Sequence, residues 1–256
     1  DYPLDVNISC PEENFSIDDE FLKKEAMNVA REYEMLRNVP VGYSFLDHML
    51  TAVMGNNYKV HKLLENIILQ LITFHSYEDL KIVIFTNNKN KDSWRFVKYL
   101  PHNFDNSRTF RFFSANSDDA KEVSNYLEQE LFYRRFDENM SETFRDYTLC
   151  RPYYLIITDN YSSIRRLDIM KDITEIENNY GFSLVMLENL ISRLPSRCNN
   201  FITVGEKKSG ILENAYENQR SINFVDEVSY DLNMDLVCKR LSNIPIEFEH
   251  GAKEMP

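Results

Sequence analysis

Gly55, Lys59, Val60, His61 and Lys62 lie where a short apolar run, Thr51–Met54, meets a long amphipathic stretch. Strand, glycine, then helix is the setting of a phosphate-binding loop. That loop needs GxxxxGK[ST]: glycines let backbone amides approach the phosphates, lysine neutralises charge, and a hydroxyl holds Mg²⁺. Counting from Gly55, the second glycine position holds Val60, the lysine position His61 and the hydroxyl position Lys62. A loop one residue shorter puts Val60 at the lysine position and His61 at the hydroxyl. Neither register keeps the chemistry, so the loop reads as degenerate and no nucleotide-binding residue is expected. Lys59 or Lys62 could still attract an anion, but without a metal ligand beside it.

Tyr153–Thr158 has the form of a Walker B strand, apolar residues ending on the carboxylate of Asp159. Such a strand end aims Asp159 at Mg²⁺. The next residue is Asn160, where a water-activating carboxylate would stand, so no catalytic residue is assigned. A strand-terminal Asp also serves turn hydrogen bonding. Two enzymatic readings stay open. One is an unorthodox NTPase, with Lys59 or Lys62 replacing the motif lysine and Asp159 holding Mg²⁺. The other is an unrelated α/β enzyme using polar residues at strand ends. The five histidines and the four scattered cysteines (Cys10, Cys150, Cys198, Cys238) show no metal spacing, so no metal site is expected.

The elements that must position these residues alternate along the chain. Val60, Leu63, Leu64, Ile67, Ile68, Leu71 and Ile72 mark a helix by their i, i+3, i+4 spacing. Lys81–Thr86, Phe110–Ala115, Tyr153–Thr158, Phe182–Leu187, Phe201–Val204 and Ser221–Val225 read as strands, and Val41–Phe45 as a short extended piece. Helices are expected over Asp118–Arg135, over Leu167–Ile176 and from Asp231. Strand–helix alternation with continuous apolar strands predicts an α/β fold, a mostly parallel sheet with helices on both faces. In such sheets function gathers at the carboxyl ends of strands. Those ends are Gly55–Asn57, Thr86–Asn87, Asp159–Asn160 and Glu188–Asn189. Residues 1–40 read as a lead-in strand and helix, 41–245 as the core and 246–256 as a linker. Trp94 reads most simply as an aromatic plug against the sheet. Together with His102, Arg134 and Arg135, it is also a candidate for contact with a neighbouring domain.

Charge excludes one class of partner. Lys and Arg total 29 against 41 Asp and Glu, for a net charge of −12. No basic patch offsets this, so nucleic acid is not an expected partner. The chain opens on Asp1, as expected of a piece of a longer protein.

Phe74–Leu80, an apolar strand, then Trp94 through Leu100-Pro101-His102 resemble the FtsK/SpoIIIE-family motor ATPases of type VII secretion, the EssC/EccC type. Within them the chain is similar to the first, membrane-proximal, degenerate ATPase-like domain. The resemblance implies a P-loop NTPase-like (RecA/FtsK-like) fold at the cytoplasmic face of the cell membrane of a Gram-positive bacterium. It implies a longer protein with forkhead-associated domains, a transmembrane part and further ATPase domains that use ATP and Mg. Expected partners are those adjacent domains and other type VII secretion components, with a hexamer expected only of the full-length protein. The departures at Val60 and His61 imply a structural or regulatory role in exporting small helical proteins, with no cofactor for this domain.

Overall fold

The computed structural model describes residues 2–3, 24–25, 27–29, 32, 35–36, 39–136, 150–206, 208–216, 218–225 and 232–243. Most of the lead-in expected over 1–40 and the whole of the linker 246–256 lie outside these residues. The chain divides into two units, 1–43 and 44–256. In the first, β1 (Tyr2–Pro3) pairs antiparallel with β2 (Met35–Leu36), and residues 24–25, 27–29 and 32 are helical. The helical pattern was expected to continue through Leu36; strand pairing claims that end instead.

In the second unit the apolar runs become strands. They are β3 (Leu50–Gly55), β4 (Leu80–Phe85), β5 (Phe113–Ser114), β6 (Tyr153–Thr158), β7 (Phe182–Leu187), β8 (Asn200–Val204), β9 (Ser209–Glu213) and β10 (Arg220–Phe224). All six residues of β4 and all six of β6 are buried, as befits parallel strands covered on both faces. The sheet order is β10-β9-β8-β3-β7-β6-β4-β5. Every pairing from β8 to β5 is parallel; only β8–β9 and β9–β10 are antiparallel.

Three strand expectations change. Val41–Phe45 forms no strand. Of Phe110–Ala115 only Phe113–Ser114 pairs in the sheet. The preceding residues are held in a loop, where Phe110 N donates to Asp105 Oδ1 at 2.8 Å and Phe112 N to Asn103 O at 2.8 Å. β9 was not expected. Its alternation is short and interrupted by Gly210, and it gains its pairing from β8 on one side and β10 on the other.

α1 (Asn57–Phe74) buries Val60, Leu64, Ile68 and Ile72, one stripe at i, i+4 spacing. α2 (Ser117–Phe136) opens with Asp118 and Asp119, favourable at a helix N-terminus, and closes with Arg134 and Arg135. Its Val123, Leu127 and Leu131 share a core with Val83, Phe85, Tyr154, Ile156, Leu184 and Met186. Those residues alternate along their strands, so they line one face, and α1 covers the other. After β6 come α3 (Tyr161–Ile164) and α4 (Asp168–Glu175), which buries Ile169, Met170 and Ile173. That helix ends at Glu175, beside the expected end at Ile176, and Gly181 adopts φ +86 just before β7. Trp94 lies in a 3₁₀ segment, Lys91–Tyr99, and α5 (Met234–Ser242) packs against it. Among the described residues no helix is long and apolar enough to cross a membrane.

Candidate functional site

β7 alone separates β3 from β6, so Gly55 and Asp159 share the sheet's carboxyl edge, roughly 10 Å apart at ~4.8 Å per strand spacing. From β3 the chain crosses to strands on one side and later returns to β8 on the other. That reversal is where open α/β sheets form a crevice. The strand ends read from sequence do converge here. What they form is a polar cluster bonded within itself.

No loop separates β3 from α1. The strand ends at Gly55, the helix begins at Asn57, and Asn56 is the N-cap, its Oδ1 accepting from Tyr58 N at 3.0 Å. An Asn ahead of a periodic apolar run is a helix-start signal that the motif count passed over. Val60, His61 and Lys62 are therefore helical residues and not loop residues as the count assumed; Val60 is packed inward with 3% exposure. Gly55 has its own reason to be glycine. Its φ is +147, and a Cβ would lie 2.5 Å from Val204 O on β8. Asn189, after β7, holds this backbone from the other side: Gly55 N donates to its Oδ1 at 2.8 Å, and its Nδ2 donates to Gly55 O at 3.2 Å.

The two lysines point to other partners. Lys59 Nζ reaches Gly205 O and Glu206 O, each at 3.4 Å, across the β8–β9 turn. Lys62 pairs with Glu65 at 2.7 Å along the helix.

Asp159 is engaged by the protein's own donors. Thr86 Oγ1 lies 2.9 and 3.0 Å from its two oxygens, and Trp94 Nε1 donates to Oδ2 at 3.0 Å. The indole is 1% exposed and packs against the His61 imidazole with ring centroids 4.8 Å apart. Burial pushes the His61 pKa down, opposed by the charges of Asp159 and Glu65. The neutral ring thus packs readily on the indole. Asn160 turns back on its own chain, its N donating to Thr158 Oγ1 at 3.1 Å. The plug reading of Trp94 holds; its partner, 65 residues away, carries no sequence signal.

The remaining candidates sit elsewhere. His102 is buried, and its Nε2 donates to His75 O at 2.9 Å, so the Phe74–Ser76 and Leu100–His102 segments meet directly. Burial also lowers its pKa. Arg134 donates to Tyr180 O at 2.9 Å and Pro152 O at 2.7 Å, with its guanidinium over the Tyr154 and Phe182 rings at 5.1 and 5.0 Å. It fastens α2 to the sheet's amino edge. Of the four contact candidates only Arg135 is exposed.

No family model matches the chain. It is 22% identical over 245 residues to the type VII secretion system protein EssC of Staphylococcus aureus, covering 96% of this chain and 16% of that protein. It is 22% identical over 198 residues to the ESX secretion system protein EccC of Geobacillus thermodenitrificans, covering 77% and 13%. The chain thus spans about a sixth of the curated relatives it matches. Among solved structures, EssC (ATPases 2 and 3) from Geobacillus thermodenitrificans superposes with a TM-score of 0.54. It is 12% identical, over 78% of this chain and 44% of that one. The cytoplasmic domain of the Thermomonospora curvata type VII secretion ATPase EccC also gives 0.54, at 13% identity over 75% and 25%. The mostly parallel sheet thus matches those ATPase domains in fold, and across nearly its whole length the chain is homologous to a portion of the EssC/EccC proteins of type VII secretion.

Proposed function

We propose that this chain is a non-catalytic ATPase-like domain of a type VII secretion motor, and that its role is structural or regulatory. In this reading it is the first, membrane-proximal ATPase-like domain, held at the cytoplasmic face of the membrane by the rest of a longer protein. It couples the transmembrane part to ATP- and Mg-using domains further along, during export of small helical proteins. Contacts with other secretion components and a hexameric assembly belong to the full-length protein.

The observation that carries this reading is the Trp94 indole hydrogen-bonded to Asp159 at 3.0 Å. The carboxylate that would face a metal accepts from tryptophan and threonine, and the strand-to-helix link is a single residue, too short to wrap a triphosphate. These residues do not fit a magnesium nucleotide. The NTPase reading asks Lys59 or Lys62 to replace the motif lysine, and both are committed to other oxygens. The test is calorimetric titration of the protein with Mg·ATP. No heat of binding is expected into the millimolar range; micromolar affinity, about −8 kcal/mol, would overturn the reading.

A further inference from the structure

Trp94 rides on a nine-residue 3₁₀ segment. Such runs are uncommon beyond ~3–4 residues. On its inner side the segment is held by the Trp94–Asp159 hydrogen bond and the contact with His61. On its outer side it is fastened to α5. Arg95 pairs with Asp235 at 2.7 Å, and Lys239 Nζ lies 4.8 Å from the centre of the Tyr99 ring. An open groove of about 370 Å³ runs between α1, this segment and the start of α5. Lys62, Glu65, Asp92, Ser93, Asn233 and Asp235 give it a polar lining. The α5 dock is therefore mixed: Met234 and Cys238 are buried in it, while its ion pair and the groove beside it are exposed, and salt screens that polar part.

We propose that α5 is a latch for the plug: when α5 leaves the 3₁₀ segment, Trp94 is withdrawn from between His61 and Asp159. The sheet's carboxyl edge opens, and redocking closes it. The latch goes beyond the non-catalytic reading and is tested without nucleotide, so either can fail alone.

The chain carries its own probes. Trp94 is the only tryptophan. Cys238 is wholly buried on α5, whereas Cys198, 2% exposed, sits in the sheet's core. With Cys10→Ser and Cys150→Ser in place, thiol labelling separates opening of α5 from opening of the core, and acrylamide quenching follows Trp94. The comparison is between about 50 mM and about 1 M KCl, a change from weak to strong screening. It is repeated with Arg95→Ala/Lys239→Ala, two side chains outside the sheet's core. Labelling of Cys238 is expected to accelerate about tenfold, given one exposed ion pair and one cation–π contact. Trp94 quenching rises in step while Cys198 stays protected. Faster Cys238 labelling with unchanged quenching would mean that α5 moves without the plug and overturns the latch. Equal labelling of both thiols overturns it too, because α5 then opens only with the whole sheet. So does an absence of change in either probe.

Discussion

Trp94→Ala empties the space between His61 and Asp159 and separates two causes of a closed site, the plug and the missing loop. An indole this buried removes about 200 Å² from water, ~5 kcal/mol at ~25 cal/mol per Å². Truncating such a ring to alanine costs about 3–5 kcal/mol. Trp94→Phe keeps most of the ring but loses the donor to Asp159, a hydrogen bond to a charged group that contributes about 1.5–3 kcal/mol. The expected losses are therefore about 3–5 kcal/mol for Ala and about 1–3 for Phe, measured by urea unfolding followed by far-ultraviolet circular dichroism. A Trp94→Ala protein within about 0.5 kcal/mol of the parent would show that the ring is not packed in this way. The same variant, titrated with Mg·ATP, is expected to stay silent because Asn56 remains the whole strand-to-helix link. Micromolar binding by Trp94→Ala would refute the account of the loop, since the plug alone would then be what keeps nucleotide out.

Two stability predictions follow from other residues. Gly55→Ala puts a Cβ 2.5 Å from Val204 O at a φ of +147, and is expected to cost about 1–3 kcal/mol or more. Gly42→Ala, where a Cβ meets nothing within 4 Å, serves as the control and should stay within about 0.5 kcal/mol. Equal urea midpoints for the two variants would contradict the close approach of β8. Lys81 is 1% exposed on β4 with no hydrogen-bond partner for its Nζ, and burial lowers its pKa to about 8. The unfolded chain, with a lysine pKa of about 10.4, binds this proton more tightly than the folded one, so folding stability rises with pH between about 8 and 10.4. Lys81→Met keeps the stem and removes the buried charge, and is expected to stabilise the protein at neutral pH by about 1–3 kcal/mol. That gain should shrink as pH approaches 10; a variant that is destabilised at pH 7 would sink the prediction.

The central sheet was legible because its strands are continuous apolar runs, and α1 because its stripe repeats at helical spacing. What escaped were features set by partners far away in sequence. β9 is a strand because β8 and β10 flank it. Phe110 and Phe112 turn their amides away from the sheet, to Asp105 and Asn103, while Phe112 O still accepts from Ile84 N on β4. At the candidate site, motif counting located Gly55 and Asp159 correctly at one edge but treated 55–62 as loop. The Asn56 cap was readable locally and would have placed the helix start. The hold of Trp94 on Asp159, and the burial of Arg134 among Tyr154, Phe182 and three backbone carbonyls, were not readable, since each depends on which strands lie side by side.

A working nucleotide site keeps amides, a lysine and a carboxylate free for its ligand, and holds them strained or solvated until the ligand arrives. Here the groups in those places have internal partners: Asn189 for the Gly55 backbone, Asn56 for the Tyr58 amide of α1, carbonyls at 205 and 206 for Lys59, and Thr86 with Trp94 for Asp159. Polar groups satisfied in this way gain less from a phosphate, because binding would first have to break the bonds they already make. The edge of the sheet is consequently tied together by its own hydrogen bonds. In the proposed role, such an edge would let the domain hold its neighbours in register through every turnover of a motor, its own shape independent of the nucleotide cycle. The element proposed as adjustable is the seam under α5, where the Arg95–Asp235 pair and the Lys239–Tyr99 contact are open to screening by salt.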